Sequence, residues 1–184
     1  MREITHGVIA LHAKGLVHRD IKEANVVLSR DFSDARLIDY GVTVPQGSSN
    51  TVAGAFSYWP PELFPRWEDG QPHAAQVTQD VYALGVVMYN ILVGVPASFG
   101  SPGAYDQLSV WKTEGRLEAL APVLHQFDTE TQRVLTHMLT RQVHIRAEQA
   151  ANHFEMARAW LDKCEQQLLQ PQQAEVSYSV SQVH

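Results

Sequence analysis

The sequence carries a single cysteine, Cys164, in 184 residues. No intrachain disulfide is available, nothing implies an oxidising compartment, and a cytoplasmic (intracellular) setting is expected. Long apolar runs are also lacking. The longest, Val81 to Val95, contains Asn90, follows Asp80 and falls short of the ~20 residues a bilayer span needs. A stretch apolar nearly all round yet too short for a membrane predicts a buried central helix. Glu3 and His6 interrupt the opening residues before any signal-like apolar region develops, so no membrane partner is expected. Positive charge is scarce too, with 14 Lys+Arg against 20 Asp+Glu and a formal net charge of -6. That balance argues against a general phosphate-backbone binder, so no nucleic-acid partner is expected. The nine histidines are scattered, without the tight helical spacing of zinc ligands. No internal repeat is visible.

What is present fits one soluble domain with a sizeable core, since hydrophobic residues make up 45% of the chain and charged residues 18%. Ile4, Val8 and Leu11 fall on one helical face, and Gly15 is placed to stop that helix. Val26-Val27-Leu28 and Arg36-Leu37-Ile38 predict two short strands joined by a polar turn through Asp31, Ser33 and Asp34. Gly41 to Gly54 predicts a mobile polar loop. Phe64 to Gln79, with Pro65, Gly70 and Pro72, predicts a second loop leading into the central helix, which Gly94 and Pro96 end. Gly100-Ser101-Pro102-Gly103 is a further break. Thr129 and Gln132 suit a capping box for a helix carrying Val134, Leu135, Met138 and Leu139. Phe154, Ala157, Leu161, Cys164 and Leu168 predict a last helical face, followed by a Gln/Ser-rich disordered tail.

The chemistry concentrates in His18-Arg19-Asp20-Ile21-Lys22-Glu23-Ala24-Asn25, followed by Asp39-Tyr40-Gly41. Phosphoryl transfer needs a group to orient the attacking hydroxyl, a cation on the moving phosphate and oxygen ligands for magnesium. Asp20, Lys22, Asn25 and Asp39 can supply all three. Singly, Asp20, Asn25 and Asp39 are also ordinary turn and cap residues.

In these motifs the sequence resembles the eukaryotic-type protein kinase family, Ser/Thr type, over its mostly helical C-terminal lobe. The resemblance runs from the first helix to about Phe154. It implies a mostly α (α+β) fold: a helical bundle around a buried central helix, with a small β-hairpin at the active site. Residues 1–164 would form the C-lobe portion of a kinase domain, and 165–184 a helix end and the tail. By resemblance, Asp20 orients the substrate hydroxyl and Lys22 neutralises the transferring phosphoryl group. Asn25 and Asp39 would hold Mg2+ against the phosphates of ATP. Val27, Val87 and Ile91 fall where the family builds an apolar column beneath adenine. Arg19 would meet a phosphorylated activation segment, for which Thr51 is the first candidate and Ser48 and Ser49 weaker ones. His18, Tyr40 and Asp80 take structural places, Asp80 opening the central helix and bracing the catalytic loop. Glu62, in Gly54-Ala55-Phe56-Ser57-Tyr58-Trp59-Pro60-Pro61-Glu62, would pair with Arg146. Breaking such a buried pair from one side costs ~3–5 kcal/mol.

There are departures from the family pattern. The chain has no Gly-x-Gly-x-x-Gly stretch and no Val-Ala-x-Lys strand before Asp20, so the N-terminal lobe, or an upstream chain, is an expected partner. Alone, half a site is expected to turn over negligibly. Tyr40 stands for a usual phenylalanine, and Pro60 for a small residue. Ala55 stands for a threonine whose hydroxyl bridges the catalytic aspartate and lysine. The implied function is transfer of the ATP γ-phosphate to Ser/Thr hydroxyls of a protein substrate. A non-catalytic, pseudokinase-like binding module and a small-molecule phosphotransferase are the alternatives. Lys22, Arg19 and the Pro61-Glu62 segment fit a protein Ser/Thr kinase better.

Overall fold

The computed structural model describes residues 2–31, 33–93, 124–140 and 159. Its centre is a helix whose residues Val81, Tyr82, Leu84, Val86, Val87 and Met88 are all buried. This is α3, Val77–Val93. The Gln79 side-chain carbonyl accepts from the Gln76 N–H at 3.3 Å, satisfying a donor at the helix start from three residues inside. Around α3 pack α1, Arg2–His12, and α4, Thr129–Leu139. From α1 come buried Ile4 and Val8, with Leu11 on the half-buried edge; from α4 come Val134, Leu135, Met138 and Leu139. A short helix, α2, spans Leu63–Glu68. These elements match the expected helical packing around a buried central helix, and among the described residues no helix is long and apolar enough to cross a membrane.

Among the described residues the strands are two or three residues long and pair two at a time. They are β1 Leu16–Val17, β2 Val26–Leu28, β3 Ala35–Leu37, β4 Val44–Pro45, β5 Ser49–Asn50 and β6 His73–Ala74. The hairpin β2–β3 is antiparallel, with Val26 opposite Leu37 and Leu28 opposite Ala35. Ala35 and Leu37 face the core, fixing the register through burial. Its turn is built by Asp31, which accepts from the Ser29 and Ser33 hydroxyls at 2.7 and 2.8 Å. Those bonds favour the ionised carboxylate and hold its pKa at about 2.

Three expectations are corrected. The segment Gly41 to Gly54 is pinned at two places rather than loose: β4 pairs with β1, and β5 pairs with β6. Two-residue strands leave no periodic pattern in a sequence, and their partners lie far away in the chain. Within the expected 64–79 loop, α2 and β6 form. Pro65 is tolerated in α2 because it lies in the first turn, where an N–H has no intrahelical acceptor. The cap of α4 is Asp128, one residue before Thr129. Its carboxylate accepts from the Glu130 and Thr131 N–H groups at 3.1 and 3.2 Å, while the Gln132 amide turns to the Phe127 carbonyl at 2.7 Å. The final helical face, Cys164 and the Gln/Ser-rich tail lie outside the described residues, as do both sides of the 164/165 boundary.

Gly85 sets how closely α3 and α4 approach. A Cβ there would come within 2.8 Å of the Met138 Cβ and 3.2 Å of a Leu139 methyl. Valine at this position overpacks the contact and brings little helix propensity. Gly85→Val is expected to lower stability by about 2 kcal/mol, read from the urea midpoint. Asp128→Ala removes an N-cap and is expected to cost ~1 kcal/mol by the same measurement.

Candidate active site

The site is assembled by the segment between β1 and β2. Its backbone turns sharply at Arg19, which adopts a left-handed conformation with φ 71°. A long side chain rarely takes that conformation, which costs on the order of 1–3 kcal/mol. The turn is held by Asp80, in the first turn of α3 and almost completely buried. Asp80 accepts from the backbone N–H of His18 at 2.7 Å and of Arg19 at 2.9 Å. A third contact comes from His12 Nε2, at the end of α1, at 2.8 Å. A buried carboxylate is tolerable only when its oxygens are so engaged.

With the turn fixed, Asp20 faces a ring of donors. Its Oδ2 accepts from Lys22 Nζ at 2.7 Å and from Asn25 Nδ2 at 2.9 Å. Asn25 Nδ2 also donates to the Asp20 carbonyl at 2.8 Å. Oδ1 accepts from the Ala55 N–H at 3.1 Å. Ala55 lacks the hydroxyl of the family pattern, yet its backbone reaches the same carboxylate. Gly54 makes that approach possible, since its φ is +88° and a Cβ there would overlap the Arg19 carbonyl. Arg19, Asp20, Ala53 and Ala55 also line a cavity of about 20 Å³, room for one water.

Asn25 is buried at the start of β2, on a 3-10 turn spanning Glu23–Asn25. The Ile38 N–H donates to the Asn25 carbonyl at 2.8 Å, which carries the hairpin pairing one step beyond β3. Asp39 follows immediately. It is exposed, has φ 63°, and accepts from the Gly41 N–H at 3.2 Å. Left-handed backbone is tolerated better by aspartate than by most residues. With its amide nitrogen turned to Asp20, Asn25 directs its side-chain oxygen the other way. One amide oxygen and one carboxylate suit magnesium, which keeps waters and substrate phosphates as its remaining ligands. Among the described residues no cluster of three His, Cys, Asp or Glu forms a ready metal cage.

The remaining candidates are placed as follows. His18 is buried, and its Nδ1 accepts from the Asp20 N–H at 3.3 Å. Burial lowers its pKa, opposed by Asp80, Asp20, the Ile38 backbone and Asp39. The Tyr40 ring lies 5.1 Å from that of His18, half exposed, and its hydroxyl donates to the Leu37 carbonyl at 3.0 Å. The Arg19 guanidinium donates to the Val42 carbonyl at 3.3 Å and to the Thr51 carbonyl, with Thr51 itself exposed. Burial lowers the Arg19 pKa, opposed by Asp80. Val87 is buried in the core, whereas Val27 and Ile91 expose about half their surface. Glu62 precedes α2 and is half buried. Arg146, and with it the expected pairing to Glu62, lies outside the described residues.

Five contributors have roles that the sequence reading did not assign. His12 binds Asp80, and Gly54 admits the Ala55 approach. Glu23 and Tyr58 bond to each other, and Asn90 donates to Glu23 at 2.8 Å. Asn90 alone gave a signal, being the one amide inside the apolar run Val81 to Val95, where a buried polar group requires a partner.

Comparison with known proteins adds to this geometry. A model of the protein kinase domain matches residues 1–156. Serine/threonine-protein kinase PLK4 of Nematostella vectensis is 33% identical over 100 residues, covering 52% of this chain and 10% of the relative. Aurora kinase of Schizosaccharomyces pombe is 35% identical over 96 residues, 51% of this chain and 25% of the relative. Serine/threonine-protein kinase PkaB of Streptomyces coelicolor is 33% identical over 140 residues, 67% of this chain and 31% of the relative. The chain thus spans less than a third of the length of each of these relatives. With the match to the family running through most of its own length, the chain belongs to the protein kinase domain family.

Proposed function

We propose that this chain is the C-terminal lobe portion of a Ser/Thr protein kinase domain, and that the complete domain transfers the γ-phosphate of ATP to Ser/Thr hydroxyls of proteins. The observation that carries the proposal is the Asp20 carboxylate, held at once by Lys22, Asn25 and the Ala55 N–H. Three donors leave it one orientation. An acceptor hydroxyl that hydrogen-bonds to Asp20 presents its oxygen toward the γ-phosphorus. As the new P–O bond forms, the bond from phosphorus to the bridging oxygen of ADP breaks, and Asp20 takes the hydroxyl proton. The Lys22 ammonium lies beside this carboxylate and offsets charge on the moving phosphoryl group. Asn25 and Asp39 are the residues that would hold magnesium, which supplies charge neutralisation between the phosphates. Val27 and Ile91, half exposed, offer apolar surface for adenine.

Thr51 is proposed as a regulatory phosphorylation site. Arg19 already donates to the Thr51 carbonyl, so a phosphate on that residue has a guanidinium within its own neighbourhood. Ala55 favours one second reading, a non-catalytic binding module, because its side chain offers no hydroxyl to Asp20 and Lys22.

Phosphate transfer to a generic Ser/Thr protein substrate separates these readings when the chain is joined to a kinase N-terminal lobe. We expect transfer from the joined protein and negligible transfer from the 184-residue chain alone. Asp20→Asn keeps the shape but loses the proton acceptor, and the rate is expected to fall by about 10² to 10⁴. Unchanged turnover in that variant removes Asp20 from the chemistry. Asp39→Asn is expected to raise the magnesium concentration needed for half-maximal rate, and an unaltered magnesium titration argues against its ligand role.

A further inference from the structure

Glu23 lies in the 3-10 turn between Lys22 and Asn25, half buried and outside the donor ring of Asp20. One of its carboxylate oxygens accepts from the Tyr58 hydroxyl. The other accepts from the Asn90 amide, in the buried face of α3, at 2.8 Å. Three segments separated by 35 and 67 positions thus meet on one carboxylate. Charge-assisted bonds of this kind are about twice as strong as neutral ones.

Tyr58 ends the 3-10 turn Phe56–Tyr58 that begins directly after Ala55. Its N–H donates back to the Ala55 carbonyl at 3.0 Å, while the Ala55 N–H donates to Asp20. The segment 55–58 is therefore attached to the catalytic segment at two points, Ala55 to Asp20 and Tyr58 to Glu23. Asn90 fixes the second point to the core. A single hydrogen bond between two irregular segments leaves rotation about the contact, whereas two bonds several ångströms apart remove it.

We infer that Glu23 is a positioning residue: through Tyr58 and Asn90 it holds the 55–58 segment so that the Ala55 N–H stays on Asp20 and fixes the carboxylate for an acceptor hydroxyl. The functional meaning rests on the kinase reading of Asp20; the mechanical link does not. The partner it serves is the acceptor segment of a protein substrate, which must come alongside residues 55–58 to bring its hydroxyl to the Asp20 carboxylate that Ala55 holds.

Amide hydrogen exchange of the 184-residue chain, resolved at single residues by NMR, tests the link without requiring turnover. Ala55 reports the bond to Asp20, and Val81–Met88 report the stability of the core. In Tyr58→Phe and in Glu23→Ala, exchange at Ala55 is expected to quicken about tenfold or more, with Val81–Met88 unchanged. The double variant is expected to match the single ones, because both remove the same contact. Glu23→Gln, which keeps an acceptor oxygen for Asn90, is expected to fall between. Exchange at Ala55 as slow as in the parent overturns the inference, as do additive effects in the double variant. A rise shared equally by Val81–Met88 overturns it too, since that is the signature of general destabilisation. Should Glu23→Ala not fold, Tyr58→Phe and Glu23→Gln, both milder, carry the same outcomes. Phosphate transfer does not enter these measurements, so their failure is distinct from failure of the kinase reading.

Discussion

The buried carboxylate of Asp80 is the constraint on which the site depends. It is nearly fully enclosed and accepts from two successive backbone N–H groups, at His18 and Arg19. Such a pair of donors is presented to one carboxylate only if the chain bends, and Arg19 bends into the left-handed region. An unpaired charge at this depth is costly, so the bend and the carboxylate sustain each other. His12 adds a third donor from the end of α1, joining that helix to the same point. Asp80 belongs to α3, the most deeply buried helix among the described residues, and the core thereby fixes the conformation of the His18–Asn25 segment.

From that bend the rest follows in order. Asp20 is turned toward Lys22, Asn25 and Ala55, and each supplies a donor from a different local structure. Lys22 does so by proximity, Asn25 from a buried 3-10 turn, and Ala55 from a backbone that only Gly54 lets come close. Glu23 then ties the Ala55–Tyr58 segment to α3 through Asn90. Two buried polar side chains of the central helix, Asp80 and Asn90, thus hold the two ends of the site. The helix is apolar where it packs and polar where it must hold something.

Legibility followed sequence distance. Asp20, Lys22 and Asn25 lie within six residues, and short-range spacing alone constrains how far apart they can be. Asp39 was readable because a hairpin returns the chain to Asn25, and the strand patterns on either side announce that hairpin. Thr129 was mistaken for the cap of α4 because Asp128 and Thr129 are both capping residues, and only the hydrogen-bond directions distinguish them. The strands β4 and β5 were missed because their pairing partners, not their composition, create them.

By itself the sequence determined which functional groups exist, their order, and the local elements that periodicity, turn residues and apolar length dictate. It also determined that one helix must be buried, because a stretch that apolar has no stable exposed form. Only the tertiary structure decided which donors those groups use: the His18 and Arg19 amides for Asp80, the Ala55 amide for Asp20, the Tyr58 hydroxyl for Glu23. The physical reason is that every residue carries the same backbone donor and acceptor. Which of them meets a given carboxylate depends on how distant segments pack, and that information resides in no short stretch of chain.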